Sequence, residues 1–145
     1  MLKKSKNVCN IMLNASYSIK LLLHLQKATK LERKKIIEWA KLNLVNNGTT
    51  VSRAELTGPI SFSNSGIKEA INQPHKHYHE KNEAIKDIVQ LLGSSIYSGN
   101  AEDVKGRCLR YHYFRVTIND DDSFIVVKEH YDNTLRFYTI VDRIK

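Results

Sequence analysis

The chain has 145 residues, enough for one domain with a core of its own and little else. Hydrophobic residues make up 41 % and charged residues 26 %, which excludes a disordered chain, and no run of about 18 apolar residues suggests a membrane span. The net charge of +8 is unevenly placed: residues 1–45 carry ten Lys/Arg against two acids, and residues 46–145 carry thirteen of each.

This basic N-terminal third can steer toward phosphate polyanions, or its lysines can simply solvate one side of a helix. Charge alone leaves both readings open. Met1-Leu2-Lys3-Lys4 has the look of a signal-peptide start, but Asn7, Asn10, Asn14 and Lys20 break up the stretch behind it. Cys9 and Cys108 form neither a disulfide framework nor a metal pattern, so two reduced thiols in a cytoplasmic protein are expected.

In chain order, residues 1–16 read as a poorly ordered or weakly helical lead. Ile19, Leu21, Leu22, Leu23 and Leu25 predict a short helix over 17–28. Ile36, Ile37, Trp39, Ala40 and Leu44 predict a second over 31–45, stopped by Asn46-Asn47-Gly48. Thr49 to Phe62 reads as loop with one short strand. Ser63-Asn64-Ser65 offers an N-cap for a helix over Gly66–Ile71. Pro74 suits a first helical turn, and Tyr78, Ile85, Ile88, Val89 and Leu92 predict a helix from Pro74 to Leu92.

From there the apolar period changes to two. Segments 107–118, 123–130 and 134–141 alternate, with turns at Asn119–Asp122 and Asp132-Asn133, and 95–98 adds a shorter strand. Helices followed by a meander predict an α+β fold: N-terminal helices packed on a twisted antiparallel sheet of about four strands. The expected division is a basic, partly helical lead at 1–30 and one α+β domain at 31–145. Helices cover one sheet face, and the other is left to hold a site.

The chemistry concentrates in Gln73-Pro74-His75-Lys76-His77-Tyr78. His75, His77 and His79 would share a face on a strand and so invite a metal. On a helix only His75 and His79 do, which weakens a zinc site. His75 and Lys76 at a helix start could meet a phosphate with an acid or base at hand, or could be a solvated helix end. On the strand 107–118, His112, Phe114, Val116 and Ile118 share one face with Arg110 ahead of them, and Tyr111, Tyr113 and Arg115 share the other. On 134–141, Leu135, Phe137, Thr139 and Val141 share a face. Thr139 there is either a β-former or a hydroxyl offered to a ligand. Neither a glycine-rich phosphate loop nor a carboxylate pair is visible, which counts against phosphotransfer, and no cofactor is expected.

The string Gly66-Ile67-Lys68-Glu69-Ala70-Ile71-Asn72-Gln73-Pro74-His75-Lys76-His77-Tyr78, with Lys81-Asn82-Glu83-Ala84, resembles the phage-associated nuclease-like domains of the barnase–EndoU–colicin–RelE superfamily. Such domains often end MuF-type phage head-morphogenesis polyproteins. Tyr97-x-Gly99, His112-Tyr113, Ser123–Val126 and Phe137–Asp142 add to the likeness, which covers residues 31–145.

The resemblance implies a barnase/RelE-like fold and metal-independent endoribonuclease activity, often as a toxin of a phage or mobile element. A catalytically inactive binding module of the same fold is the alternative. The implied catalytic residues are His75, Lys76, His112 and Thr139, and family members more often carry Ser at the last. Tyr78, Lys81, Arg110, Tyr113 and Lys128 would contact substrate. The expected partners are RNA, with tRNA and mRNA both open, and a cognate immunity or antitoxin protein, with no membrane. Two histidines, a lysine and a hydroxyl suit cleavage through the RNA 2′-OH, which needs a base, an acid and a cation.

Overall fold

A computed structural model describes the backbone of residues 2–144, and the side chains of residues 18–144 except position 28. The chain divides into two units, 1–34 and 35–145.

In the first unit the backbone is helical from Leu2, and this helix, α1, continues to Ala40. One helix replaces the two expected, because no glycine or proline occurs before Gly48 to break it. The lead expected over 1–16 is therefore helical in backbone; its side chains, with that of Cys9, lie outside the described residues. Ile19, Leu21, Leu22, Leu23 and Leu25 are exposed. Among the described residues no helix is long and apolar enough to cross a membrane.

The second unit begins in the last turns of α1, where Ile36, Ala40 and Leu44 are buried. The helix widens into a π turn over Lys41–Val45 and stops at Gly48, whose φ of 66° is the left-handed conformation expected of the Asn-Asn-Gly signal. Strand β1 is short, Ile60–Ser61. Ser63 caps α2 (Asn64–Asn72), its Oγ accepting the Gly66 N–H at 3.1 Å.

The helix expected over 74–92 is cut into pieces: a turn at 74–77, α3 (Tyr78–Ala84), a 3₁₀ turn (Ile85–Asp87) and α4 (Ile88–Ser94). Side chains capture the N–H groups at its expected start. Lys76 donates to Asp142 Oδ2 at 3.0 Å and His77 to His75 Nδ1 at 2.8 Å. Ile85, Ile88 and Leu92 still face the core, but Val89 is exposed, since the 3₁₀ turn shifts the helical phase.

Strands β2 (Ile96–Glu102), β3 (Arg110–Ile118), β4 (Asp121–Glu129) and β5 (Leu135–Val141) form the expected antiparallel meander. The fold is α+β, with five strands in the order β1-β5-β4-β3-β2 and β1 parallel to β5. The β3–β4 turn is tighter than expected. Asn119 and Asp120 alone span it, at φ 51° and 65°, and Ile118 pairs with Asp121. Cross-strand partners share a face, so His112, Phe114, Val116 and Ile118 sit with Val127, Ile125, Ser123 and Asp121. The helices bury this face: Ile36, Ile67, Ile71, Ile85, Ile88 and Leu92 join Phe114, Ile125, Val127 and Phe137 in one core.

A bulge changes the reading of β5. Val126 pairs with Thr139 but Val127 with Phe137, so Tyr138 is an extra residue. Leu135 and Phe137 face the helices as expected. Thr139 then turns to the opposite face, and Ile140 takes the core position in its place.

Candidate functional site

Two polar clusters lie on the helix-covered face, at opposite ends of β3 and β4. The first gathers around His75, held against β4 by the 74–77 turn. His75 Nε2 lies 2.9 Å from Ser123 Oγ, and its Nδ1 accepts the His77 N–H. With Nδ1 an acceptor, the neutral ring carries its proton on Nε2 and donates it to Ser123. Burial depresses the basicity of His75, the Asp142 carboxylate opposes this, and the neighbouring Lys81, His77 and Lys76 side chains reinforce it.

His77 accepts from Asn119 Nδ2 at 3.0 Å and meets Asp121 Oδ2 at 2.6 Å, with Lys76 Nζ 3.4 Å from the same oxygen. The His77 and Lys76 contacts hold the Asp121 carboxyl below the usual range. The Lys76 N–H does the same for Asp142. The expected phosphate position at this helix start is thus filled by the chain's own carboxylates, and α3 itself begins only at Tyr78.

The second cluster centres on His112, only 5 % exposed. Its Nε2 lies 3.0 Å from Glu129 Oε1 and its Nδ1 2.9 Å from the Tyr97 hydroxyl. An ionised carboxylate only accepts, so Nε2 carries the proton and Tyr97 donates to Nδ1. Asn100 Nδ2 donates to the Tyr97 hydroxyl at 3.0 Å, and Arg110 Nε lies 3.5 Å from Glu129 Oε2. A bulge in β2 lies between Tyr97 and Asn100, with Gly99 at φ 100°, and across it Asn100 reaches the Tyr97 hydroxyl while Tyr97 reaches His112. The arrangement puts a carboxylate, an imidazole, a phenol and a guanidinium within reach of one another.

His75 and His112 are not brought together. Ser123 pairs with Val116, four residues along β3 from His112, or about 13 Å at the strand rise. Thr139 is buried on the opposite face, its hydroxyl without a hydrogen-bond partner. Tyr113 and Lys128 share that opposite face. Lys81 is fully buried, donating from Nζ to the carbonyls of Ala70 and Ile71 at the end of α2, with its ammonium over the Tyr78 ring at 4.5 Å. Of the residues expected to act together, His112 and Arg110 are neighbours, as are His75 and Lys76.

Sequence reasoning gives neither Glu129 nor Tyr97 a place in the site, and Tyr97 enters only through the Tyr97-x-Gly99 string of the resemblance. The signal for Glu129 is the hairpin: once Asn119-Asp120 is the turn, Arg110 must pair with Glu129, beside His112. Among the described residues no three or more His, Cys, Asp or Glu side chains are grouped to hold a metal ion.

Fold and site together define an α+β domain whose helices bury one face of an antiparallel sheet, with acid–base groups at the sheet's end. The sequence profile described as large polyvalent protein-associated domain 3 (LPD3) matches residues 27–138, and the chain belongs to that family. No curated protein and no solved structure matches it.

Proposed function

We propose that this domain is a metal-independent endoribonuclease-like module, carried as a toxin by a phage or mobile-element polyvalent protein and acting on cytoplasmic RNA. The observation that carries the reading is His112 held between Glu129 and Tyr97, with Arg110 beside the carboxylate. Cleavage through the 2′-OH needs a proton acceptor, a proton donor for the leaving 5′-oxygen and a cation for the phosphorane charge. Glu129, His112 and Arg110 are of the required types, and Tyr97 orients the imidazole. His75 and Lys76 then anchor the 74–77 turn rather than touch substrate. Family membership supports the mobile-element setting. A cognate immunity protein would cover the His112 end of the sheet.

The second reading, a binding module of the same fold, is favoured by the burial of His112 and by the balanced charge of residues 46–145. Expression in bacteria separates the two. The nuclease reading expects growth arrest and fragmented RNA from the wild type, and neither from His112→Ala or Glu129→Gln. Intact RNA and normal growth with the wild type would leave the binding module standing.

A further inference from the structure

On the sheet face opposite His112, Lys128 and Arg136 are direct cross-strand partners. Like charges placed opposite each other on a sheet are destabilising, and an acid normally relieves them. Among the described residues neither cation forms an ion pair. They line a cleft of about 190 Å³ between β4, β5 and the start of α2, together with His130, Tyr138, Ser65 and Glu69. Nearby positive charge is felt within it: burial first, then Arg136 and Lys128, depresses the basicity of His130. Glu69 is the one acid on the lining, against the two cations, and the Asp132 carboxylate outside it is within electrostatic reach of His130 and Arg136.

Aromatic rings flank these cations. Lys128 Nζ sits 4.3 Å from the Tyr138 ring centroid and 6.0 Å from that of Tyr111, and the two rings are 5.9 Å apart. The β5 bulge places Tyr138 there as the extra residue. Cations for an anion beside rings for a flat partner are the two parts of a site for single-stranded nucleic acid. A repulsive pair retained without an acid between its members fits a binding role better than a structural one.

We propose that this cleft binds single-stranded RNA, with a backbone phosphate between Lys128 and Arg136 and the adjoining base on Tyr138. The site does not depend on the catalytic reading, since it lies on the other sheet face from His112. Fluorescence anisotropy with a labelled 2′-O-methyl octauridine tests it on the whole chain, because that probe lacks the 2′-OH and cannot be cleaved by transesterification.

Wild type should bind. Arg136→Gln with Lys128→Ala should weaken binding about tenfold or more at low salt, and should flatten the logarithmic salt slope by about 0.7 for each phosphate no longer neutralised. Glu69→Gln should tighten it. Arg136→Gln alone, at an exposed position, serves if the double variant does not fold. Unchanged affinity and salt slope in folded variants would overturn the proposal and assign any binding to the basic N-terminal third. Binding of a phosphoserine peptide but not of the oligonucleotide would overturn it in favour of a protein ligand. Loss of RNA cleavage in Glu129→Gln with octauridine binding intact would show the two sites to be separate.

Discussion

His77 donates its backbone N–H to Nδ1 of His75 at 2.8 Å, and this bond fixes which tautomer the buried ring adopts. A proton added at Nδ1 would face that N–H and break the contact, so the fold selects neutral His75. The folded-state pKa is lowered by burial, while the unfolded value stays near 6.5. With the folded value the lower one, the unfolded chain binds more protons, and stability falls as pH drops below about 6.5. His130 is shifted in the same direction and adds to the slope. Asp121 and Asp142, shifted downward, stay ionised throughout this window and contribute only at lower pH. Urea midpoints should therefore fall between pH 7.5 and pH 5.5, and fall less in His75→Gln. A wild-type midpoint flat over that range would refute the assignment.

Lys81 is expected to act on stability and not on ligand binding. Its Nζ meets two carbonyls at the C-terminal end of α2, where the last backbone acceptors of a helix have no partner of their own. Lys81→Met keeps most of the packing but leaves those carbonyls without their donor, which should cost about 1–3 kcal/mol. Equilibrium denaturation checks the loss. Affinity of the folded variant for an RNA oligonucleotide should match wild type, and a weaker affinity at unchanged stability would instead make Lys81 a substrate contact.

Gly66 gives a prediction of opposite sign to helix propensity. In an ordinary helix position Gly→Ala stabilises by roughly 0.5–1 kcal/mol. Here an added Cβ would lie 2.3 Å from the Phe137 carbonyl oxygen, so α2 would have to move off β5. Gly66→Ala should destabilise by about 1–3 kcal/mol, the usual cost of overpacking. That lowers the melting temperature by several degrees, and a raised one would mean that the helix and strand are less closely seated.

The sequence displayed the fold more clearly than the site. Alternation in β3 announced the core face of His112, Phe114, Val116 and Ile118 because Phe114, Val116 and Ile118 recur at every second position behind His112. Ser63 and Gly48 announced the ends of helices through local chemistry that needs no tertiary partner. What stayed hidden depends on residues distant in sequence. The bulge at Tyr138 shows only in the pairing with β4, and it moves Thr139 off the face of His112. Asp142 captures the Lys76 N–H from 66 residues away and so helps set the start of α3. Arg53 likewise caps α4 through Leu92 and Ser95 and covers the Phe114 ring, from inside a segment that reads only as loop.

The Glu129–His112–Tyr97 chain separates a catalytic role from a structural one through graded substitutions. Tyr97→Phe removes the donor to His112 Nδ1 but keeps the ring packed beside Phe114, 5.3 Å away between centroids. Glu129→Gln keeps the shape and can still accept the Nε2–H, but it cannot take up a proton. If Glu129 is the proton acceptor in RNA cleavage, Glu129→Gln should lower the rate about 10²–10⁴-fold. Tyr97→Phe, which disturbs orientation only, should cost less. Both variants should unfold within about 1–2 kcal/mol of wild type, given the usual net worth of one hydrogen bond. Rates are read from cleavage of a fluorogenic RNA oligonucleotide over a pH series. The acidic limb of the wild-type profile, set by protonation of the acceptor, should vanish in Glu129→Gln. An unaltered acidic limb would remove Glu129 from the acceptor role, whatever the size of the rate loss.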